Sequence, residues 1–492
     1  MTDHVQVCPN PGTGVKKKFL SNLLLLLILN ILIKPFWFFG IEVAVQNRVG
    51  EEMYGFYFSL FNFAFILNIL LDAGITNFNN RAIAREHNLL EYHLGRIVPL
   101  KFLLSIIYAL VVFGTGAIIG YSNLQFKLLA VLVFNQFLSS FILYMRSNIS
   151  GLQLFRTDSL LSVLDRTLMI LMNSILLWTA FTSRPYRIEW FVYTQTLSYM
   201  VTLAVVVAVV FYHSGRIKLN FSLKDYRDIL RRSYPFAVLI LLMSFFNRAD
   251  SVMIERLLED GKAQAGIYAQ SFRVLDAFSQ FALLFAGLLL PMFSRMLKTG
   301  ERTEGLIEIA SSLLLGIAIS VAVMGLFFND EIIVVMYHSA EMRSPDIFSV
   351  LMGGFVFISF SYIFGTLLTS NNNLRQLNIL AGFTVVLNIA LNLLLIPTHK
   401  AFGAAIASIS SQAFYAISQV FIARHTLKLR LKKDFFPRLL LFSILIVIAG
   451  YLLHRYLEWI PALTIFAALC ALLSIITKVI RPSELLKIFL DK

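Results

Sequence analysis

Fourteen apolar stretches, each long enough to cross a bilayer, run through this chain from Phe19 to Ile480. A helix needs about 20 apolar residues to cross the hydrocarbon core. In lipid every backbone N–H and C=O must be satisfied within the protein, so a spanning segment is either a helix or part of a closed barrel. The stretches are continuous and not alternating, which is the pattern of helices. A composition of 58% hydrophobic and 14% charged residues, with mean hydropathy +0.76, suits the same solvent. The expected spans are 19–41, 54–75, 97–120, 126–148, 160–182, 190–213, 234–257, 266–291, 305–328, 345–369, 376–396, 403–424, 438–457 and 461–480.

The net charge of +14 would suggest a nucleic-acid partner in a soluble protein. Here the charge is distributed as in membrane proteins, whose cytoplasmic loops carry excess Lys and Arg. With the N-terminus inside, 28 of the 42 Lys and Arg fall on the cytoplasmic side and 9 on the other, the remaining 5 lying within spans. The richest segments are Arg216–Arg232 and Arg424–Arg438, both on the inner side. This split places both termini in the cytoplasm, requires an even number of spans and removes nucleic acid as a partner. Cys8 lies in a polar tail and Cys470 in the last span, so no disulfide framework is expected. Residues 1–18 read as a disordered tail. The Leu-rich run after them is followed by Lys34-Pro35-Phe36-Trp37 and not by a small-residue cleavage site, so it reads as a retained helix.

The longest gaps between spans, around 214–233 and 76–96, are about 20 residues and too short to bury a core of their own. No G-x-x-x-x-G-K-[ST] phosphate loop occurs, and no His/Cys cluster has metal-ligand spacing. No large outward loop shapes a second substrate site, so the chain is read as a non-enzyme.

The chain reads as built twice. Pro35 in the first helix is followed by Gly55-Phe56-Tyr57 at the start of the second, and Pro235 in the seventh by Gly266-Ile267-Tyr268 at the start of the eighth. Arg156 precedes Asn173 by 17 residues, and Arg375 precedes Asn392 by the same 17. The expected organisation is a tail (1–18), a six-helix lobe (19–213), a linker (214–233), a second six-helix lobe (234–424), a basic connector (425–437), two further helices (438–480) and a tail (481–492). Six is even, so the two lobes are parallel repeats around a central cavity, an arrangement used by transporters. The fold class is therefore an all-α polytopic membrane protein of about 14 transmembrane helices.

A charge at the centre of a helix costs about 2.5–3.5 kcal/mol on insertion scales, so charged residues at depth face a cavity or a partner. Lys34, Arg248 and Arg273 are candidate cations for a cavity that takes an anionic ligand such as pyrophosphate, with Arg48 as a further contact. Asp72 and Asp250 are candidate coupling or structural carboxylates. Asp165 with Arg166 are candidate internal ion-pair groups, and Arg273 and Asp276, at i and i+3, can pair on one helix face. Arg248 and Asp250 point in different directions and need separate partners. A hydrophobic-cation exporter would carry carboxylates in its cavity; the balance here is mixed and slightly basic.

These landmarks resemble a known family. The run Pro35–Ile41, Arg48-Val49-Gly50-Glu51, Tyr54-Gly55-Phe56-Tyr57, Leu71-Asp72-Ala73-Gly74-Ile75 and Asn80-Arg81-Ala82-Ile83-Ala84 resembles the opening of Wzx-type oligosaccharide flippases. These belong to the multidrug/oligosaccharidyl-lipid/polysaccharide exporter superfamily. Ser233-Tyr234-Pro235, Leu290-Pro291-Met292-Phe293-Ser294-Arg295, Asn388 through Pro397 and Gly403-Ala404-Ala405 extend the resemblance over nearly the whole chain. It implies a V-shaped pair of six-helix lobes that moves an undecaprenyl-pyrophosphate-linked oligosaccharide across the bacterial inner membrane, for O-antigen or capsule. It also implies a coupling ion, H+ or Na+, no other cofactor, and polysaccharide polymerase or assembly proteins as partners. Two alternatives stay open: a cation-coupled multidrug exporter of the same superfamily, and a membrane-embedded polysaccharide ligase or polymerase.

Overall fold

The computed structural model describes residues 32–33, 35–76, 79–80, 83, 89–152, 154–179, 185–214, 219–338, 344–429 and 434–480. The two tails, most of the first expected span and Lys34 lie outside the described residues. The protein is all-α. In chain order the helices are a π-helical α1 (Phe36–Glu42), α2 (Val43–Val49), α3 (Glu51–Ile66), α4 (Leu90–Ile119), α5 (Asn123–Gly151), α6 (Phe155–Trp178) and α7 (Ile188–His213). They continue as α8 (Leu223–Leu257), α9 (Gly261–Thr299), α10 (Glu304–Phe327), α11 (Asn329–Met336), α12 (Ser344–Ser370), α13 (Leu374–Leu427), α14 (Phe435–Tyr456) and α15 (Trp459–Ile476). Among the described residues eleven helices are long and apolar enough to cross a membrane. The longest, α13, is two helices joined where Lys400 takes φ 54° and ψ −136°, which matches the separate eleventh and twelfth spans read from sequence.

Two of the differences from the sequence reading bear on charged residues. The second span does not continue to residue 75. After α3 the chain passes through a 3-10 turn (Asn68–Leu71) and a left-handed turn at Ala73 and Gly74. Asp72 sits in this break and caps the next turn, accepting the Thr76 N–H at 3.3 Å and the Thr76 hydroxyl. The 214–233 linker is helical from Leu223 onward, as the first turns of α8.

The chain divides into two compact units, one of residues 1–42 and 70–234 and one of residues 43–69 and 235–492. In the first, polar side chains hold the helices together, as they do where lipid removes the hydrophobic drive for helix association. The Asn135 amide donates to the Val192 carbonyl at 3.3 Å, and Thr196 donates to Asn135 Oδ1 at 2.7 Å, joining α5 to α7. Asn173 is fully buried and is held by Thr194 at 3.0 Å and Tyr186 at 2.6 Å. Ser122 and Gln125 form a reciprocal cap at the start of α5.

The second unit contains α2 and α3, which the sequence reading assigns to the first lobe. Close backbone packing explains the difference. Gly55 and Gly266 lie where α3 and α9 meet, with no room for a Cβ on either, and the Gln46 amide donates to the Gly266 carbonyl at 2.9 Å. At the other end of this unit α10, α14 and α15 share an apolar core of Val323, Phe328, Phe442, Ile446 and Phe466. Large apolar side chains such as Phe383, Leu394 and Phe421 are exposed, as lipid-facing residues are.

Candidate functional site

Within the second unit, α3, α8, α9, α12 and α13 line an open cavity of about 390 Å³. Its charged groups are Arg248 from α8 and Asp276 from α9; Asn247, Gln280, Tyr362 and Gln412 supply polar groups around them. Arg248 Nη2 donates to Asp276 Oδ1 at 2.9 Å and to Oδ2 at 3.2 Å, and Nη1 donates to Asn62 Oδ1 at 3.4 Å. The guanidinium carbon lies 5.0 Å from the ring centre of Phe65 and 5.1 Å from that of Phe272. Aromatic faces attract a cation, more strongly where water is scarce. The two rings thus stand beside the guanidinium while its Nη1 and Nη2 groups make the hydrogen bonds. Phe272 and Asp276 are one helical turn apart on α9, so one helix face supplies both a ring and the carboxylate.

Asp276 therefore pairs with Arg248 and not with Arg273. Arg273 faces α3: its Nε donates to the Tyr54 hydroxyl at 3.2 Å, and its guanidinium lies 4.9 Å from the Phe58 ring and 5.4 Å from the Phe61 ring. It is buried and does not line the cavity. At i and i+3 the two side chains diverge enough for each to meet a different helix. Arg48 is exposed, in the last turn of α2.

Asp250 is 1% exposed. Its Oδ1 accepts the amides of Asn392 at 2.8 Å and Asn388 at 3.1 Å, and its Oδ2 accepts the Tyr268 hydroxyl at 2.9 Å. The Ser408 hydroxyl stands beside them. These donors are all neutral. The Asn388 and Asn392 side-chain carbonyl oxygens are also buried and accept no hydrogen bond among the described residues. Both asparagines from α13 thus face Asp250 through their amide nitrogens, and a flip of either amide would turn its carbonyl oxygen toward the carboxylate. Asn173, matched to Asn392 in the sequence repeat, instead meets the Thr194 hydroxyl, the Tyr186 phenol and the Met169 carbonyl.

The remaining candidates lie in the first unit. Asp72 pairs with Lys101 at 2.5 Å, and Lys101 also donates to the Leu71 carbonyl at 3.0 Å and the Ser140 hydroxyl at 3.2 Å. Sequence reasoning passes over Lys101, although a lone cation within the apolar run of α4 is an available signal. Asp165 and Arg166 are neighbours 3.9 Å apart, and Arg166 lies over Trp37 at 5.2 Å. Trp37 donates to Glu42 at 3.1 Å, and both are buried. Glu42 escapes sequence reasoning too, because it lies at the junction of α1 and α2, just past the expected end of the first span. Among the described residues no three His, Cys, Asp or Glu are grouped to hold a metal ion.

The comparisons with known proteins agree with this architecture. The chain belongs to the polysaccharide biosynthesis protein family, whose pattern it matches over residues 19–297. No curated protein matches the sequence. Among solved structures, it is similar to the lipid II flippase MurJ in an inward closed conformation, with TM-score 0.67 and 15% identity, covering 95% of this chain and 100% of that one. It is also similar to an inward-facing multidrug resistance MATE family transporter of the MOP superfamily, with TM-score 0.57 and 19% identity over 82% of this chain and 98% of that one. A third is a MOP superfamily transporter from Pyrococcus furiosus, with TM-score 0.56 and 17% identity over 83% and 95%. The fold is thus the one these flippase and transporter structures share.

Proposed function

We propose that this protein is a flippase for an undecaprenyl-pyrophosphate-linked oligosaccharide, working by alternating access in the bacterial inner membrane to supply O-antigen or capsule. The observation that carries the reading is Arg248, a guanidinium beside two phenylalanine rings and paired with Asp276 on the wall of an open cavity lined by membrane-spanning helices. A guanidinium fork matches the oxygen spacing of a phosphate, and in a water-poor site that match is strong. The amides and hydroxyls around it suit a sugar. Arg48 is retained as a second anion contact. The charge asymmetry of the loops supports cytoplasmic termini.

Asp250 is the coupling site in this reading. A buried carboxylate with only neutral donors is costly unless a positive charge joins it. A proton on the carboxyl, or Na+ held by Asp250 with the Asn388 and Asn392 carbonyls turned inward, meets that need, and release of the ion would change how α8 and α13 pack.

Asp276 in the same cavity favours one second reading, a cation-coupled multidrug exporter. Arg248→Gln in a strain lacking the native gene tests between them. The flippase reading expects loss of surface polysaccharide while the protein still inserts, with linked oligosaccharide accumulating on the inner leaflet. Unchanged export would remove Arg248 from the substrate path. Drug sensitivity without a polysaccharide defect on deletion would favour the exporter, and accumulation on the outer leaflet would point to a ligase or polymerase.

A further inference from the structure

The Arg248–Asp276 pair poses a problem for any anion that enters the cavity, because the donor edge that would receive a phosphate already holds a carboxylate. Building on the flippase reading, we propose that Asp276 is a specificity residue: it occupies the Arg248 fork as an internal anion and excludes ligands carrying a single phosphate charge while admitting a diphosphate.

A protein in a bilayer is surrounded by phospholipids, each with a headgroup phosphodiester of one negative charge, at concentrations far above those of any lipid-linked sugar. A bare guanidinium in a cavity open to such headgroups would bind them. With Asp276 in place, a phosphodiester gains nothing by exchange: it replaces one negative charge with another and leaves a mostly buried carboxylate without its cation. A diphosphate brings more charge and more acceptor oxygens. It can hold the Nη2 edge and also reach the Nη1 edge, now occupied only by the weaker 3.4 Å contact to Asn62. Specificity is a difference of affinities, and an internal competitor lowers the affinity for both ligands but disqualifies the weaker one.

The geometry supports exchange over permanent bridging. Arg248 is held by the Phe65 and Phe272 rings whether or not Asp276 is bound, so the fork stays aimed when the carboxylate leaves. Asp276 lies on the cavity wall with Gln280 one turn further along α9, whose amide offers it an alternative donor, while the Ser279 hydroxyl donates to the Leu275 carbonyl at 2.8 Å. By contrast the buried Lys101–Asp72 pair has a backbone carbonyl and a hydroxyl closing it in and lines no described cavity.

The test uses the full-length protein in detergent with two probes, inorganic pyrophosphate and glycerophosphoglycerol, the soluble headgroup of phosphatidylglycerol. Binding is read by calorimetry for wild type, Asp276→Asn and Arg248→Gln. The expectation is that Asp276→Asn binds pyrophosphate roughly tenfold more tightly, gains binding of glycerophosphoglycerol that the wild type lacks, and transports more slowly because release is slow. A merely structural ion pair would lose binding and thermal stability together. If Asp276→Asn binds pyrophosphate no better and still rejects the monophosphate, the specificity role is overturned while the flippase reading stands. If Arg248→Gln leaves pyrophosphate binding unchanged, the reading of Arg248 itself is overturned. Should Asp276→Asn fail to fold, carbodiimide labelling of the wild type serves instead. Asp276 should gain label when pyrophosphate is present, and constant labelling counts against displacement.

Discussion

Gly55 and Gly266 meet in a reciprocal contact. A Cβ added to Gly55 would lie 1.9 Å from the Lys262 carbonyl oxygen, and one added to Gly266 would lie 2.1 Å from the Glu51 carbonyl oxygen. Each glycine therefore abuts the residue four positions before the other, as expected of two equivalent helix turns packed about a local twofold. Small residues allow such close backbone approach in membranes. The atoms in the way are backbone carbonyls, which cannot rotate aside. Either Gly55→Ala or Gly266→Ala is expected to push α3 from α9 and cost about 3 kcal/mol, the upper end of overpacking penalties. The check is the melting temperature of purified protein, with Gly287→Ala as control, since nothing lies within 4 Å of a Cβ there.

The Lys101–Asp72 pair gives a second expectation. Lys101 is almost fully buried, and its three acceptors all depend on its charge. Removing one member of a buried pair leaves the other uncompensated, at a cost of about 3–5 kcal/mol, whereas replacing both with apolar groups costs far less. Lys101→Met and Asp72→Leu should each lower the yield of folded protein, and the double variant should recover much of it. A double-mutant cycle on thermal stability measures the coupling, and additive losses would show that the pair contributes nothing.

Asp260, in the loop between α8 and α9, gives a pH expectation. It accepts a hydrogen bond from Lys400 at 2.6 Å. Burial alone would raise its carboxyl, but the Lys400 hydrogen bond and charge, with help from its own backbone and Gln264, hold it below the usual carboxylate range. A carboxyl lowered in the folded state adds stability above its unfolded value, about 3.9, and loses it as the pH falls through the folded value. Both side chains are about half exposed, so the contribution is at most about 1 kcal/mol. Asp260→Asn should therefore melt slightly below wild type at pH 7, and the gap should close below about pH 4. A gap that widens on acidification would contradict the assignment.

The fold is largely legible in the sequence because the solvent dictates it: continuous apolar runs in lipid have one economical solution, and the repeat of Gly55-Phe56-Tyr57 as Gly266-Ile267-Tyr268 marks two segments that do share an environment. The site is legible only in part. Sequence spacing locates Arg248, Asp250 and Asp276 at depth, and it separates Arg248 from Asp250 because positions two apart on a helix point in different directions. It does not rank i, i+3 neighbours on one helix against partners on another, so it matches Asp276 to Arg273. Contacts such as Asn62 with Arg248, or Asn388 with Asp250, join residues more than a hundred positions apart. No local pattern encodes them.

Arg273 provides the sharpest contrast between sequence and structure. Its depth in a helix near the start of the second lobe makes it a candidate for the anion path, whereas the structure places it between α9 and α3, against Tyr54, Phe58 and Phe61. In that position its charge is held by a phenol and aromatic faces, and its long stem fills space between helices. Arg273→Gln should cost about 2 kcal/mol, through the hydrogen bond to Tyr54 and the lost ring contacts. Pyrophosphate binding per folded molecule should stay at the wild-type level. Tyr54→Phe should reproduce part of the loss, since it removes the acceptor without changing shape. A variant with wild-type melting but no pyrophosphate binding would instead return Arg273 to the substrate path.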